Sequence, residues 1–212
     1  MKTNFFKFLT IVALGVAIIG CKKKADEATT TEAEEVATSE AASTKYMANA
    51  TESVIEWTGY KPTGKHNGTI KVETGVFTVN NGELESGSFI IDMNSLKDTD
   101  GSAKLEGHLK SADFFDVEKY ASAAFEVTGF DMVDGKSMLS GNLTLKDVKN
   151  NVTFPVSTSV DGDMFTLTSE MFTIDRSKWN VQYGSKSFFD DLGDKFINDD
   201  IELKVTVKAK KS

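Results

Sequence analysis

The feature that most constrains this chain is a two-residue alternation that starts near Tyr46 and recurs to the C-terminal end. Ile55 and Trp57 alternate with Glu56 and Thr58, and Phe89, Ile91 and Met93 with Ile90, Asp92 and Asn94. Phe125 and Val127 alternate with Glu126 and Thr128, and Val152, Phe154 and Val156 with Thr153, Pro155 and Ser157. The last run is the longest: Ile201, Leu203, Val205, Val207 and Ala209 against Glu202, Lys204, Thr206 and Lys208. Side chains of a strand point alternately to its two faces, so each run describes a strand with one buried face. Turn-forming groups separate the runs: Asn80-Asn81-Gly82, Asp134-Gly135-Lys136, Lys149-Asn150-Asn151 and Asp161-Gly162-Asp163. About eight strands at hairpin spacing predict an all-β, antiparallel barrel over residues 46–212. Pro155, outward by parity, predicts an edge or bulge at that point.

One stretch breaks the alternation. Leu105, His108, Leu109 and Ala112 follow the spacing of one helix face, predicting a short helix over about 101–115 with Asp100 or Ser102 as its cap. Phe114 and Phe115 come at its end. A helix inserted between barrel strands is placed to act as a lid.

The first 20 residues are of a different kind. Lys2 and Lys7 precede an apolar run, Phe8 to Ile19, and Gly20 comes before the only cysteine, Cys21. A basic start, an apolar middle and a small residue before a cut describe a secretory signal peptide. The run is too short for a bilayer-spanning helix, which needs about 20 apolar residues. Ile18-Ile19-Gly20-Cys21 resembles a bacterial lipobox, which implies that Cys21 is acylated and becomes the first residue of an exported lipoprotein, held to the outer membrane at its periplasmic face or at the cell surface. With one cysteine there is no internal disulfide and no cysteine-based zinc site. Residues 21–45 carry no aromatic before Tyr46 and one branched aliphatic, Val36. Such a stretch has little apolar surface to bury against its ordering entropy, which predicts a flexible tether. The formal charge of the whole chain is −8. Nucleic acid, which needs a basic face, is excluded as a partner.

The most specific run in the barrel segment is Leu105-Glu106-Gly107-His108-Leu109-Lys110-Ser111-Ala112-Asp113-Phe114-Phe115-Asp116, continued by Lys119-Tyr120 and Phe125. It is similar to the L-x-x-H-L-x-x-x-D-F-F-D pattern of the YceI-like family, which the barrel segment resembles along its whole length. Weaker matches are Trp57-Thr58-Gly59, Lys65-His66-Asn67-Gly68, Gly141-Asn142-Leu143-Thr144-Leu145 and Arg176. Three departures stand out: Ala121 where Pro is usual, Asp147 where Gly is common, and Ser177-Lys178-Trp179-Asn180 after Arg176. The resemblance implies a lipocalin-like barrel that binds an isoprenoid or another long-chain lipid without catalysis and without a cofactor. The residues it places on the ligand are Trp57, Phe77, Phe89, Ile91, Leu105, His108, Leu109, Phe114, Phe125, Phe154, Phe165, Phe172, Arg176 and Trp179.

Read from the residues alone, those aromatics have two possible uses: they fill a solid core, or they line a tunnel, because a barrel of eight strands has room for either. Arg176 and Lys65 are the cations placed near a mouth, where they would meet a phosphate or carboxylate headgroup. His66 is placed in a loop before the second strand and His108 on the helix face, both as structural residues, with no metal site. Asp190-Asp191 and Asp199-Asp200 are read as a solvated rim. No nucleophile elbow or phosphate-binding glycine loop is present. A solid barrel would instead serve as an envelope protein-interaction module, and a hydrolase of lipid or envelope polymer would need a catalytic constellation that the sequence does not display.

Overall fold

The computed structural model describes residues 25–40 and 42–212 of the chain. Its strands in chain order are β1 (Asp26–Glu27), β2 (Thr29–Glu32), β3 (Thr44–Ala48), β4 (Val54–Lys61), β5 (Gly64–Asn80) and β6 (Glu83–Asp98). Helix α1 (Ala103–Lys110) follows, then β7 (Ser122–Val133), β8 (Lys136–Leu145), β9 (Val148–Asp161), β10 (Met164–Ser169), β11 (Phe172–Asp175) and β12 (Asp200–Lys211). Eight of them, in the order β4-β5-β6-β7-β8-β9-β10-β12, close into a ring through the β12–β4 pairing, and every pairing in the ring is antiparallel. The predicted eight-stranded barrel with one inserted helix is the observed fold. Closure removes the exposed sheet edges that an open sheet would carry.

The turns account for the register. Asn81 and Gly82, and Asp134 and Gly135, have positive φ at both central positions, the geometry that two-residue hairpins require. Lys146 and Asp147 do the same without a glycine. This corrects one expectation: Lys149-Asn150-Asn151 is not a turn but the start of β9, and the turn lies just before it. Those asparagines have other work. Asn151 is buried on the outer wall, where its amide donates to Thr128 Oγ1 at 2.7 Å and to Asn142 Oδ1 at 3.2 Å.

The strand between β9 and β12 is broken. β10 pairs with β9 as far as Ser169 opposite Val156, and a last bond runs from the Glu170 N–H to the Pro155 carbonyl at 3.0 Å. Beyond it β11 still pairs with β12, yet β9 no longer pairs with β11. The N-terminal segment takes up the gap. β1 pairs parallel with β11, and β2 pairs antiparallel with β9. Pro155 therefore sits where the sheet parts, as its missing N–H predicts. The segment then continues as a belt around the barrel. The Glu34 N–H and carbonyl bond the Asn142 side chain, the Ala37 N–H reaches the Val127 carbonyl at 2.9 Å, and Ser43 donates to the Glu85 carboxylate. The expectation of a flexible tether over 21–45 is corrected for its described residues. They are held by backbone pairing and by polar groups of the outer wall, which compensate for the scarcity of apolar side chains. Cys21 and the expected leader, residues 1–20, lie outside the described residues.

Helix α1 is shorter than expected. Ser102 caps it, accepting from the Leu105 N–H at 3.3 Å. Glu106 ties it to β6, accepting from Lys97 Nζ at 2.9 Å and from the Asp98 N–H at 3.1 Å. The Lys97 hydrogen bond, helped by the Asp98 amide, holds the Glu106 carboxyl below the usual carboxylate range. Lys146 Nζ donates to the Phe114 carbonyl at 2.8 Å, fastening the β8–β9 turn to the segment after the helix.

Candidate ligand-binding cavity

The inward faces of the ring strands and of α1 enclose a cavity of about 330 Å³. For scale, a dry apolar cavity of roughly 150 Å³ is enough to take up benzene. Twelve of the fourteen expected contact residues line it: Trp57, Phe77, Phe89, Ile91, Leu105, His108, Leu109, Phe114, Phe125, Phe154, Phe172 and Arg176. Two expectations are corrected. Phe165 lies below the floor, packed on Tyr46 at 5.6 Å and Phe77 at 4.9 Å between ring centroids. Trp179 sits in the 3-10 turn Arg176–Trp179, fully buried, with its Nε1–H bonded to the Leu143 carbonyl at 2.9 Å.

Most of the rest of the lining is aliphatic: Ile55, Ile70, Val72, Leu139, Leu145 and Val152, with Ile201, Leu203 and Val205 of β12, are examples. The alternation already marks most of these as inward, so the missed signal was their number.

Two glycines keep the lumen open. A Cβ on Gly75 would lie 2.1 Å from Phe89 Cδ1, and one on Gly141 would lie 2.2 Å from Phe125 Cζ. Each glycine faces an aromatic residue on the neighbouring strand, Gly75 opposite Phe89 and Gly141 beside Leu143, the partner of Phe125. The missing side chain lets each ring lie against the wall instead of standing into the cavity. Across the parted sheet, Phe154 and Phe172 stack at 4.1 Å with an interplanar angle of 7°, closing from inside what the belt closes from outside.

The mouth lies at the α1 end. Lys61 is the exposed residue of the lining, and Tyr60, His66, Leu105, His108 and Asn198 are half-buried around it. Tyr60 donates to Glu202 Oε2 at 2.6 Å, and this hydrogen bond to a carboxylate pushes the phenol up to about 12. His108 packs edge-on against Tyr183 at 4.5 Å, and its Nε2 lies 3.8 Å from Asp113 Oδ2. His66 belongs to β5 rather than to a loop, with its Nδ1 3.9 Å from Asp98 Oδ1. Among the described residues no group of three or more His, Cys, Asp or Glu is arranged to hold a metal ion.

The two cations expected to meet a headgroup do not have that role in the structure. Lys65 is exposed on the β4–β5 hairpin and does not line the cavity; Lys61 does. Arg176 is fully buried beneath the mouth. Its Nε donates to the Asn198 carbonyl at 3.2 Å, its Nη1 to the Val181 carbonyl at 2.6 Å, and its Nη2 to the Ile197 carbonyl at 3.2 Å. Asp199 Oδ1 lies 3.2 Å from Nη2, and the guanidinium stands 5.2 Å over the Phe114 ring. Burial lowers the Arg176 pKa from its ordinary value, against the opposing pull of Asp199 and Asp175. The side chain thus clamps both ends of the loop 181–198 to the barrel. Asp199 is correspondingly not a solvated rim residue: it accepts from the hydroxyls of Ser185 and Ser187 at 2.9 and 2.7 Å.

What this site can do chemically is enclose an apolar body. The strongest polar groups near it are engaged with one another: Tyr60 with Glu202, and Arg176 with Asp199 and three carbonyls. Among the described residues, no helix is long and apolar enough to cross a membrane.

Known proteins resemble this chain in sequence and in fold. A UPF0312 protein of Pseudomonas putida is 32% identical over 97 residues, covering 45% of this chain and 50% of that protein. One from Ectopseudomonas mendocina is 32% identical over 90 residues, covering 42% and 45%. The chain spans about half the length of these curated relatives. Among solved structures, Burkholderia cenocepacia BcnA superposes with a TM-score of 0.61 at 22% identity, covering 77% of this chain and 99% of that one. A structure described as a polyisoprenoid binding domain from Saccharophagus degradans superposes with a TM-score of 0.58 at 14% identity, covering 79% and 98%. At these identities the structural likeness shows a common fold. The family model for the YceI-like domain matches residues 46–209, from within β3 to within the last residues of β12, and the chain belongs to that family.

Proposed function

We propose that this chain is a non-enzymatic binder of a long apolar lipid, an isoprenoid or fatty chain, carried in the barrel cavity and tethered to a membrane through an acylated Cys21. The observation that carries the reading is the cavity itself: about 330 Å³, walled mainly by aromatic and aliphatic side chains, with Arg176 and Glu202 already partnered and Lys61 at the mouth. The binding mechanism is burial. Each enclosed CH₂ contributes roughly 0.8 kcal/mol, so a long chain binds tightly with few polar contacts. The description of the Saccharophagus degradans domain as polyisoprenoid-binding supports an isoprenoid among the candidate ligands. The tether is supported by the lipobox-like pattern before Cys21.

Leu109→Trp tests the cavity. Leu109 is buried on α1 and faces the lumen, so a larger side chain there occupies the ligand's space. Loss of a bound acyl or isoprenoid probe with most of the stability retained is the expected result. Loss of stability, with no probe bound by the unsubstituted chain, would support the solid interaction module instead. Cys21→Ser tests the tether: the expected result is release from membranes or an uncleaved leader, and unchanged membrane association with normal processing contradicts it.

A further inference from the structure

The loop between the 3-10 turn and β12 carries the aromatic side chains that the lipid reading leaves unused. Tyr183 is 43% exposed, Phe188 43% and Phe189 48%. The loop is not loose. Arg176 holds the carbonyls of Val181, Ile197 and Asn198, the Ile197 N–H bonds the Gly184 carbonyl at 2.8 Å, and the Phe188 and Phe189 N–H groups both bond the Ser185 carbonyl. It is also the lip of the cavity, since Ile197 and Asn198 line the mouth and the Asn198 N–H bonds the Tyr60 carbonyl at 2.9 Å. Rings held rigidly in water at the mouth of an apolar cavity carry an unfavourable hydration term that a stable fold could have removed by burial.

We propose that Tyr183, Phe188 and Phe189 form a docking lip that enters the surface of a zwitterionic phospholipid bilayer, so that ligand passes between membrane and cavity without crossing water. The proposal rests on the lipid-binding reading above. Two observations select a bilayer as the occupant. First, the segment that follows Cys21 joins the barrel in its mouth half: β1 runs parallel to β11 towards the mouth, and Asp26 pairs with Phe172, three residues from the Asp175 end of β11. Lys178, in the 3-10 turn from which the loop departs, lies 3.4 Å from Glu27 of β1, and β1 begins at Asp26. The five residues from Cys21 to Asp26 extend at most about 18 Å, so an acyl chain on Cys21 keeps this end of the barrel within reach of the membrane. Second, the charge around the rings suits a zwitterionic surface. Asp190, Asp191 and Asp194 outnumber Lys186 and Lys195 in the loop, and Lys186 Nζ is turned onto the Phe196 ring at 3.6 Å. Anionic headgroups would be repelled, so insertion rests on the aromatic rings. Apolar residues are exposed elsewhere too: Met132 and Val133 at the β7–β8 hairpin and Val160 near the β9–β10 hairpin, at the end of the barrel opposite the mouth, and Met47 and Met171 along its wall.

The test uses the full chain mixed with phosphatidylcholine vesicles whose acyl chains are brominated. Phe189→Trp puts a fluorophore on the lip, and Val133→Trp puts one at the far end; the native Trp57 and Trp179 are buried. The lip fluorophore is expected to be quenched by the brominated lipid and the far one not, with less quenching when phosphatidylglycerol replaces phosphatidylcholine. An unquenched fluorophore at 189, or equal quenching at 133, overturns the proposal. A second measurement follows delivery of a pyrene-labelled fatty acid from the chain to acceptor vesicles. The double variant Phe188→Asp, Phe189→Asp should slow delivery about tenfold while its equilibrium uptake of the probe is unchanged; delivery at the original rate overturns the proposal. Failure of the unsubstituted chain to take up any probe would contradict the lipid-binding reading, whereas the quenching result decides the docking lip independently.

Discussion

The two ends of the barrel are built from the same alternating strands and do opposite things. At the closed end, Tyr46 and Phe77 both pack at tilted angles on Phe165, Leu167, Val207 and Ala209 are buried around them, and Phe77, Leu167 and Val207 form the floor of the cavity. At the mouth end, the inward residues Ile201, Leu203 and Val205 of the same strand β12 are only half-buried, because they look into open space. A two-residue period decides which side chains face inward, and it is silent on whether they meet. Meeting depends on what stands opposite. At the closed end β3 slots between β5 and β12 and brings Tyr46 over Phe165. Towards the mouth, glycines at 75 and 141 let Phe89 and Phe125 lie back against the wall.

This contrast can be broken by substitution, and the largest effect belongs to the closed end. Phe165→Ala should cost about 3–5 kcal/mol, since a fully buried ring leaves a hole that its neighbours cannot fill. Leu203→Ala, the matched change in the hollow half, should cost roughly 1 kcal/mol, because its side chain already borders empty space. Denaturant unfolding of the two variants measures the difference, and equal losses would mean that the mouth half is packed as tightly as the floor.

Arg176→Met should cost about 3 kcal/mol, since three carbonyls and Asp199 lose their partner at once. Its local effect sharpens the comparison: the loop 181–198 should become protease-sensitive while the closed end keeps its amide protection. The belt comes next. Asn142→Leu removes the side chain that bonds both the N–H and the carbonyl of Glu34 and leaves Asn151 short of an acceptor. A loss of about 1–3 kcal/mol is expected, with faster amide exchange along 25–40. The smallest effect is at the mouth. The Tyr60 phenol, raised to about 12 by its bond to Glu202, favours the folded state fully below the unfolded phenol value of about 10 and loses that contribution as pH rises through about 12. Ultraviolet titration should show Tyr60 ionising late, and Glu202→Gln should bring it down towards the ordinary value.

Much of the barrel was legible because strand parity and turn chemistry are local. Val152, Phe154 and Val156 face inward as read, and so do Phe89, Ile91 and Met93. The helix was legible from four residues and its cap from Ser102. The belt was not, because its stability does not come from its own side chains. Thr29–Glu32 look like a solvated stretch until β9 offers them backbone partners at a place where Pro155 ends another pairing. Arg176 was placed correctly at the mouth but given the wrong partner: a cation near an opening suggests an anionic ligand, and only the fold shows three carbonyls and Asp199 converging on it. Phe165 differs because parity does not report depth along the barrel axis, and Trp179 because it lies in a 3-10 turn outside the alternating strands, where aromatic character alone does not say what it packs against.

The account rests on an open mouth half that holds an apolar chain, and native mass spectrometry of the Cys21→Ser protein, recovered without detergent from its own cells, tests this directly. A folded chain carrying one non-covalent lipid, lost when Leu109→Trp is added, is the predicted result. A lipid-free mass for the chain that keeps Leu109, together with a crystal structure in which side chains fill the space between Phe125 and Leu203, would contradict it.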